Sequence, residues 1–167
     1  ARSWLSVLEA SKIVYLLRPY HKNYGKRLVK SPKLYFVDTG LASRLLGIKT
    51  AEELFVHPNR GNLFECFVVS EFLKTRYSAG FDPAIHFWRD NVGTEVDIIF
   101  EDGLQLKAIE IKSSKTFSSE LTSGLESWMR YSGTKTEDCS LIYAGDRAFQ
   151  WKGISLVPWN SATTLMK

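Results

Sequence analysis

The sequence predicts an α/β sandwich, in which helices cover a mixed central sheet. Amphipathic stretches with a spacing near 3.6 residues indicate helices, and short apolar or alternating stretches indicate strands. The predicted order is helix, three strands, helix and two short strands, at 63–77, 85–89, 95–100, 104–111, 120–131, 141–144 and 154–157.

The two most informative elements are the first helix and the hairpin that follows it. Apolar residues recur every three to five positions along 63–77, as in a helix that packs on a core. Asp102-Gly103 separates two strands and is a favoured hairpin turn.

The first fifty residues predict a smaller unit. A helix at 3–10, a strand at 13–17, a basic turn and a strand at 34–37 suggest a small winged-helix-like segment. Asp38 and Thr39 can cap a further helix that runs to Leu46 and stops at Gly47. We therefore divide the chain into residues 1–50 and 51–167.

Positive charge is concentrated in the N-terminal segment. The net charge is +4, and residues 10–37 hold seven basic and no acidic residues. Such a field favours a polyanion, most simply DNA, although a solvated surface or an acidic partner domain explains it equally well. The candidate nucleic-acid-binding residues are Lys22, Lys26, Arg27, Lys30 and Lys33.

The sequence does not indicate a membrane-spanning protein, a cysteine or histidine metal site, or a P-loop ATPase. No stretch approaches the roughly 18 apolar residues of a membrane helix, and Cys66 and Cys139 lack metal-ligand spacing, as expected of two reduced thiols in a cytoplasmic protein. The three histidines lie in separate segments, and there is no phosphate-binding loop of the P-loop type. Because Ala1 is not an initiator methionine, we expect a fragment of a longer protein.

Most of the candidate site residues lie on the two strands of the predicted hairpin. A turn centred on 102–103 predicts that Asp97 lies opposite Ala108 and that Glu95 lies opposite Glu110. Because side chains alternate along a strand, one face is polar and the other apolar. The polar face is predicted to hold Glu95, Asp97, Ala108, Glu110 and Lys112, and the apolar face Val96, Ile98, Ile109 and Ile111.

Opposed carboxylates need a compensating cation or exposure to solvent, and a divalent metal is one such cation. Mg²⁺ or Mn²⁺ prefers carboxylate oxygens, so Asp97 and Glu110 are the predicted ligands, with the carbonyl of Ile111 as a third. Lys112 would orient or deprotonate a water, or neutralise charge on a phosphodiester. Glu65, on the preceding helix, would complete the metal shell.

Taken singly, these residues have simpler explanations. A lone Glu65 on an amphipathic helix is usually at the surface, and we expect Glu95 to be exposed rather than functional. Only the ordered set of helix glutamate, strand aspartate and Glu-x-Lys inside an apolar strand points to a site.

The chain also resembles a known family, through the runs 17–20, 26–36, 38–41, 61–65 and 95–97, together with Asn23. The resemblance is to the domain of unknown function found C-terminal to the ATPase module of prokaryotic AAA-type ATPases. It implies a winged-helix remnant over residues 1–50 and an N-terminal ATPase module as partner.

The later half resembles the PD-(D/E)XK nucleases, which implies a restriction-endonuclease-like fold. Asp97 matches the metal-binding aspartate of that superfamily, and Glu110 and Lys112 match its (D/E)-x-K pair. Glu65 matches the helix glutamate of its Holliday-junction-resolvase-like branch. Val96, however, stands where the motif has proline.

Three functions follow as hypotheses. The first is metal-dependent hydrolysis of DNA by a nuclease-like module attached to an ATPase. The second is a non-catalytic DNA-binding or protein-binding module that keeps the fold. The third is a dimerisation domain that uses an aromatic surface around Phe87, Trp88 and Trp151.

Overall fold

The computed structural model describes residues 2–20 and 31–166. Lys22, Lys26, Arg27 and Lys30, predicted to bind nucleic acid, lie outside the described residues. The helices are α1 (Arg2–Ala10), α2 (Thr39–Leu45), α3 (Ala51–Val56), α4 (Arg60–Ser78) and α5 (Ser123–Ser132). The strands are β1 (Val14–Leu17), β2 (Lys33–Phe36), β3 (Ile85–Arg89), β4 (Glu95–Asp102), β5 (Gln105–Lys112), β6 (Cys139–Tyr143), β7 (Phe149–Trp151) and β8 (Ile154–Pro158).

A six-stranded mixed sheet is the centre of the fold, in the order β3-β4-β5-β6-β8-β7. β3, β4 and β5 are antiparallel, as the predicted hairpin requires. β6 is parallel to β5, and β8 is parallel to β6. The predicted mixed α/β architecture is therefore confirmed.

Two helices cover opposite faces of this sheet. Val68, Val69 and Phe72 of α4 are fully buried in one core cluster, and Leu125 and Trp128 of α5 are fully buried in another. The amphipathic patterns of the sequence predicted both helices correctly. No helix among the described residues is long and apolar enough to cross a membrane.

The N-terminal segment packs against the larger unit. β1 and β2 form a separate antiparallel pair, and Pro19 forms a parallel bridge with Phe87 at the edge of the large sheet. Leu17 and Tyr35 are buried in the same core cluster as α4. β2 is thereby held beside α4, which positions one of the charges described below.

Local signals account for the helix ends. Asp38 caps α2, as predicted, because its side chain accepts hydrogen bonds from the backbone N–H groups of Gly40 and Leu41, at 2.7 Å and 3.1 Å. Gly47 follows α2 with a φ of 79°, a conformation that glycine adopts without strain. The short α3 and β7 are absent from the prediction, and three 3₁₀ segments are added at Ser119–Thr122, Thr136–Asp138 and Trp159–Met166.

The predicted register of the hairpin is wrong by two residues. Ala108 pairs with Ile99 and not with Asp97. The turn thus places every β5 residue two positions further along β4, and Glu95 does not lie opposite Glu110. A shift of two residues preserves the face on which each β5 side chain lies.

β4 also contains a β-bulge that the sequence does not signal. His86 pairs with Ile99, whereas Trp88 pairs with Val96. The two residues 97–98 therefore lie opposite a single residue of β3, which changes the alternation of side chains along the strand.

The bulge overturns the predicted apolar face of Val96, Ile98, Ile109 and Ile111. Val96 belongs to the core cluster on the α5 side, whereas the three isoleucines belong to the cluster on the α4 side. Both faces of β4 are buried here, so each apolar residue still reaches a core.

The predicted aromatic interaction surface is also wrong for two of its three residues. Phe87 and Trp88 are fully buried, one on each side of the sheet. Trp151 is partly buried and packs on a small cluster around Leu141 and Leu156.

Candidate functional site

Three carboxylates from two elements meet beside the sheet. Glu65 comes from α4, and Glu95 and Asp97 come from β4. One carboxylate oxygen of each lies within 4.8 Å of the others. Within residues 2–20 and 31–166, no other three acidic, histidine or cysteine side chains come this close. We call these three residues the acidic cluster.

The ammonium group of Lys33 contacts all three carboxylates of the acidic cluster. It donates hydrogen bonds to Glu65 and Glu95 and lies 3.3 Å from Oδ1 of Asp97. Tyr35, on the same face of β2, donates its hydroxyl to Glu65. The structure therefore places Lys33, predicted to contact DNA, with its charge directed at carboxylates and its side chain only 19% exposed.

The carboxylates set the protonation of Lys33. Burial alone lowers the pKa of this ammonium, but the charges of Asp97, Glu65 and Glu95 outweigh it and raise the pKa above its usual value. Lys33 is thus a permanent cation at neutral pH.

Asp97 is the most enclosed of the three carboxylates. Its Oδ2 accepts a hydrogen bond of 2.9 Å from the backbone N–H of Ile111, which ties β4 to β5 beside the bulge. Burial raises the pKa of Asp97, and the nearby carboxylates of Glu110 and Glu65 raise it further. A cation is the natural partner of such a group.

Glu110 and Lys112 form a second ion pair next to the acidic cluster. The Lys112 ammonium donates to Oε1 of the buried Glu110. The other oxygen, Oε2, is buried and has no hydrogen-bond partner among residues 2–20 and 31–166. Burial raises the pKa of Glu110 to about 7, even though Lys112 lowers it.

The start of α5 closes the site from the other face of the sheet. A Cβ atom at Gly124 would lie 2.4 Å from the carbonyl oxygen of Glu95 and 3.0 Å from Oε2 of Glu110. Only glycine fits at such distances, so this position allows α5 to approach the carboxylates closely.

The four predicted site residues lie in one region. Glu65 and Asp97 belong to the acidic cluster, the backbone N–H of Ile111 donates to Asp97, and its neighbours Glu110 and Lys112 pair with each other. The closest grouping differs from the prediction, however, because Glu95 belongs to it and Glu110 does not. The expectation that Glu95 is exposed is wrong, because its side chain is only 18% exposed and is also paired with Arg89.

Sequence reasoning missed Lys33 and Tyr35 as parts of the site. Their spacing of two residues on a strand was the available signal, because it places both side chains on one face. Nothing in the sequence indicated that this face meets α4.

The donor set fits a hard divalent cation. Carboxylate oxygens are the ligands that Mg²⁺ prefers, and Oε2 of Glu110 is an acceptor that no described residue occupies. Glu65, Glu95 and Asp97 would hold the ion. Lys33 holds the same three carboxylates, so its ammonium would have to move away from them.

Two family profiles match the chain, both described as domains of unknown function. DUF8612 matches residues 1–52, and DUF4143 matches residues 60–162. The division falls between Lys33 and Glu65, so the acidic cluster and its counter-charge belong to different matched segments.

Two curated relatives are similar to the chain. An uncharacterized protein of Mycobacterium tuberculosis is 35% identical over 117 residues, which is 70% of this chain and 25% of the relative. An uncharacterized protein of Mycobacterium bovis matches with the same values. The chain spans about a quarter of the length of these relatives. The DUF4143 profile covers more than half of the chain, and the chain therefore belongs to the DUF4143 family of domains of unknown function.

Proposed function

We propose that the chain is a nuclease-like module that hydrolyses DNA phosphodiester bonds with Mg²⁺ or Mn²⁺, and that it acts C-terminal to the ATPase module of an AAA-type protein. One observation carries the proposal. The buried carboxylate of Glu110 pairs with Lys112, the backbone N–H of Ile111 donates to the buried Asp97, and Oε2 of Glu110 has no hydrogen-bond partner in the described part of the chain.

The order of elements supports a restriction-endonuclease-like core. α4 precedes the antiparallel strands β3, β4 and β5, and α5 then crosses to β6, which is parallel to β5. At the N-terminus, α1 followed by the β1–β2 pair is compatible with a winged-helix remnant.

Each residue has a distinct part in the proposed reaction. A bound divalent cation would polarise the phosphodiester and lower the pKa of water. Glu65, Glu95 and Asp97 would hold that cation, and Oε2 of Glu110 would be a further oxygen ligand. Lys112 would donate a hydrogen bond to the phosphate oxygen on which negative charge builds up.

Nicking of supercoiled plasmid and of branched DNA, in Mg²⁺ and in Mn²⁺, tests the proposal. We expect cleavage by the 167-residue chain and none by Asp97→Ala. Equal cleavage by both would assign the activity to a contaminant or to another site. The assay should be repeated with the ATPase module attached.

A second candidate function has its own observation. Lys33 pairs with all three carboxylates of the acidic cluster, as expected of a non-catalytic DNA-binding or protein-interaction module that keeps the fold. Calorimetric titration with Mg²⁺ and Mn²⁺ separates the two: no uptake of either ion, together with no cleavage, would favour the non-catalytic module.

Binding of DNA is tested separately through its salt dependence. Each phosphate contact adds about 0.9 to the slope of log affinity against log salt on duplex DNA. Replacing Lys26, Arg27 and Lys30 by alanine should flatten that slope. An unchanged slope would favour the basic segment as a surface for docking protein.

A further inference from the structure

Two cationic side chains lie over the ring of an exposed phenylalanine near the proposed site. Phe55, in α3, is 58% exposed. The Arg60 guanidinium lies 4.7 Å from the centre of its ring, and the Lys115 ammonium lies 5.9 Å from it. We call these three residues the aromatic corner.

Neither cation is neutralised by the described part of the chain. Arg60 and Lys115 form no ion pair with any carboxylate among residues 2–20 and 31–166. Two like charges held on one ring repel each other unless an anion lies between them. The aromatic corner therefore offers a site for negative charge beside an exposed aromatic surface.

The corner adjoins the proposed site directly. Arg60 donates a hydrogen bond of 2.9 Å to the carbonyl oxygen of Ser113, the residue after Lys112. Gly61 lies beside Ser113 and is four residues, about one helical turn, before Glu65 on the same face of α4. The corner thus lies next to the end of the strand that carries Lys112 and on the helix that carries Glu65.

We propose that the aromatic corner binds an unpaired DNA strand, with a base stacked on Phe55 and phosphates contacted by Arg60 and Lys115. The choice of DNA rests on the proposed function. The combination of ring and cations favours a strand with unstacked bases, because bases inside a duplex do not expose their faces.

The test is binding of a short fluorescein-labelled oligothymidylate to the 167-residue chain, measured by anisotropy in EDTA so that no cleavage occurs. Phe55→Ala should weaken binding about fivefold or more, the equivalent of losing one stacked base. Arg60→Gln with Lys115→Gln should lower the salt slope by about 1.4, since each phosphate contributes about 0.7 on single strands.

The other end of α4 supplies a matched control. Arg76 lies 5.3 Å from the ring of Phe81, which is 59% exposed, about 24 Å from Arg60 along the helix. Phe81→Ala and Arg76→Gln should bind the oligonucleotide as the wild type does. Melting curves for all variants check that they fold.

Unchanged binding by the corner variants, or no binding by the wild type, would overturn the inference. So would displacement of the oligonucleotide by polyglutamate combined with no effect of Phe55→Ala, which would indicate an acidic protein partner. Cleavage is scored separately. If the corner variants weaken binding but the wild type does not cleave DNA, the inference holds and the proposed function is wrong. If the wild type cleaves DNA but the variants bind normally, the proposed function holds and the inference is wrong.

Discussion

Lys33 and Asp97 are 64 positions apart in the sequence, yet Nζ of Lys33 lies 3.3 Å from Oδ1 of Asp97. The contact joins the β1–β2 pair to the central sheet through charge as well as through packing. It also makes Lys33 a competitor for the oxygens that would bind a metal.

Lys33→Met should destabilise the protein in EDTA and tighten its binding of Mn²⁺. Loss of the ammonium leaves three largely buried carboxylates without this donor. We therefore expect the free energy of unfolding to fall by about 1–3 kcal/mol, the usual cost of unsatisfied buried acceptors. Denaturant unfolding with and without Mn²⁺ measures both effects.

Lys74→Met is the control for Lys33. Lys74 pairs with Glu71 on the surface of α4 and is 54% exposed, so its loss should cost less than about 1 kcal/mol. Equal losses in both variants, or no gain in Mn²⁺ affinity for Lys33→Met, would contradict the competition between ammonium and metal.

Glu95→Gln should weaken metal binding. A neutral amide oxygen is a poorer ligand for Mg²⁺ or Mn²⁺ than a carboxylate, so we expect affinity to fall about tenfold or more by calorimetry. Glu101, on the same strand but exposed, accepts a hydrogen bond from Tyr20 that glutamine can still accept. Glu101→Gln should therefore leave metal binding unchanged, and a similar loss in both would exclude Glu95 as a ligand.

Lys112→Ala should reduce cleavage of plasmid DNA by roughly 10²–10³ in rate, the usual effect of losing one preorganised donor to the transition state. Metal and DNA binding should change little, because a protonated lysine is not a metal ligand. Lys112→Arg should not fully restore cleavage, since the bulkier guanidinium cannot place its donors where the compact Lys112 ammonium lies beside Glu110. A full rescue by arginine would show that a positive charge at this position is sufficient.

Glu110→Gln should change how stability depends on pH. The pKa of Glu110 is raised from 4.5 to about 7 in the folded state, so the stability that this group contributes is present below pH 4.5 and is lost as pH rises through 7. The variant lacks that loss. As pH rises from 4.5 to 8, the free energy of unfolding of the variant should increase relative to that of the wild type by up to about 3 kcal/mol. Urea unfolding in EDTA measures this difference. Parallel pH profiles would show that Glu110 does not titrate in this range.

Gly124→Ala should destabilise the protein by about 1–3 kcal/mol, because its Cβ would collide with the carbonyl oxygen of Glu95. Gly61→Ala is the matched control in α4. Its Cβ would lie 3.8 Å from Oγ of Ser113, an ordinary contact, so better helix propensity should stabilise that variant by about 0.5–1 kcal/mol. Denaturant midpoints that fall equally in both would contradict the close approach of α5.

Much of the fold could be predicted because its elements carry local signals. The apolar stripe of α4 and the Asp-Gly turn of the hairpin each act over a few neighbouring residues. The register and the bulge at 97–98 could not be predicted in this way, since they depend on how β4 pairs with strands on both sides.

The site was predicted in part for the same reason. Asp97, Glu110 and Lys112 lie on adjacent strands joined by a short turn, so local geometry brings them together. Lys33 reaches them through the packing of β2 beside α4, which is set by the buried side chains of Leu17 and Tyr35. Its basic neighbours in sequence favoured a surface role, and the tertiary contact overrides that pattern.

The position of Lys33 has a consequence for dissecting the chain. The two family profiles match separate segments, 1–52 and 60–162, but a cut between them would separate Lys33 from the acidic cluster. The C-terminal piece would keep Glu65, Glu95 and Asp97 without the lysine that pairs with them. A chain truncated between residues 52 and 60 would thus hold three close carboxylates without their ammonium partner. We expect such a chain to fold only at a pH low enough to protonate a carboxylate, or with a cation bound from solution.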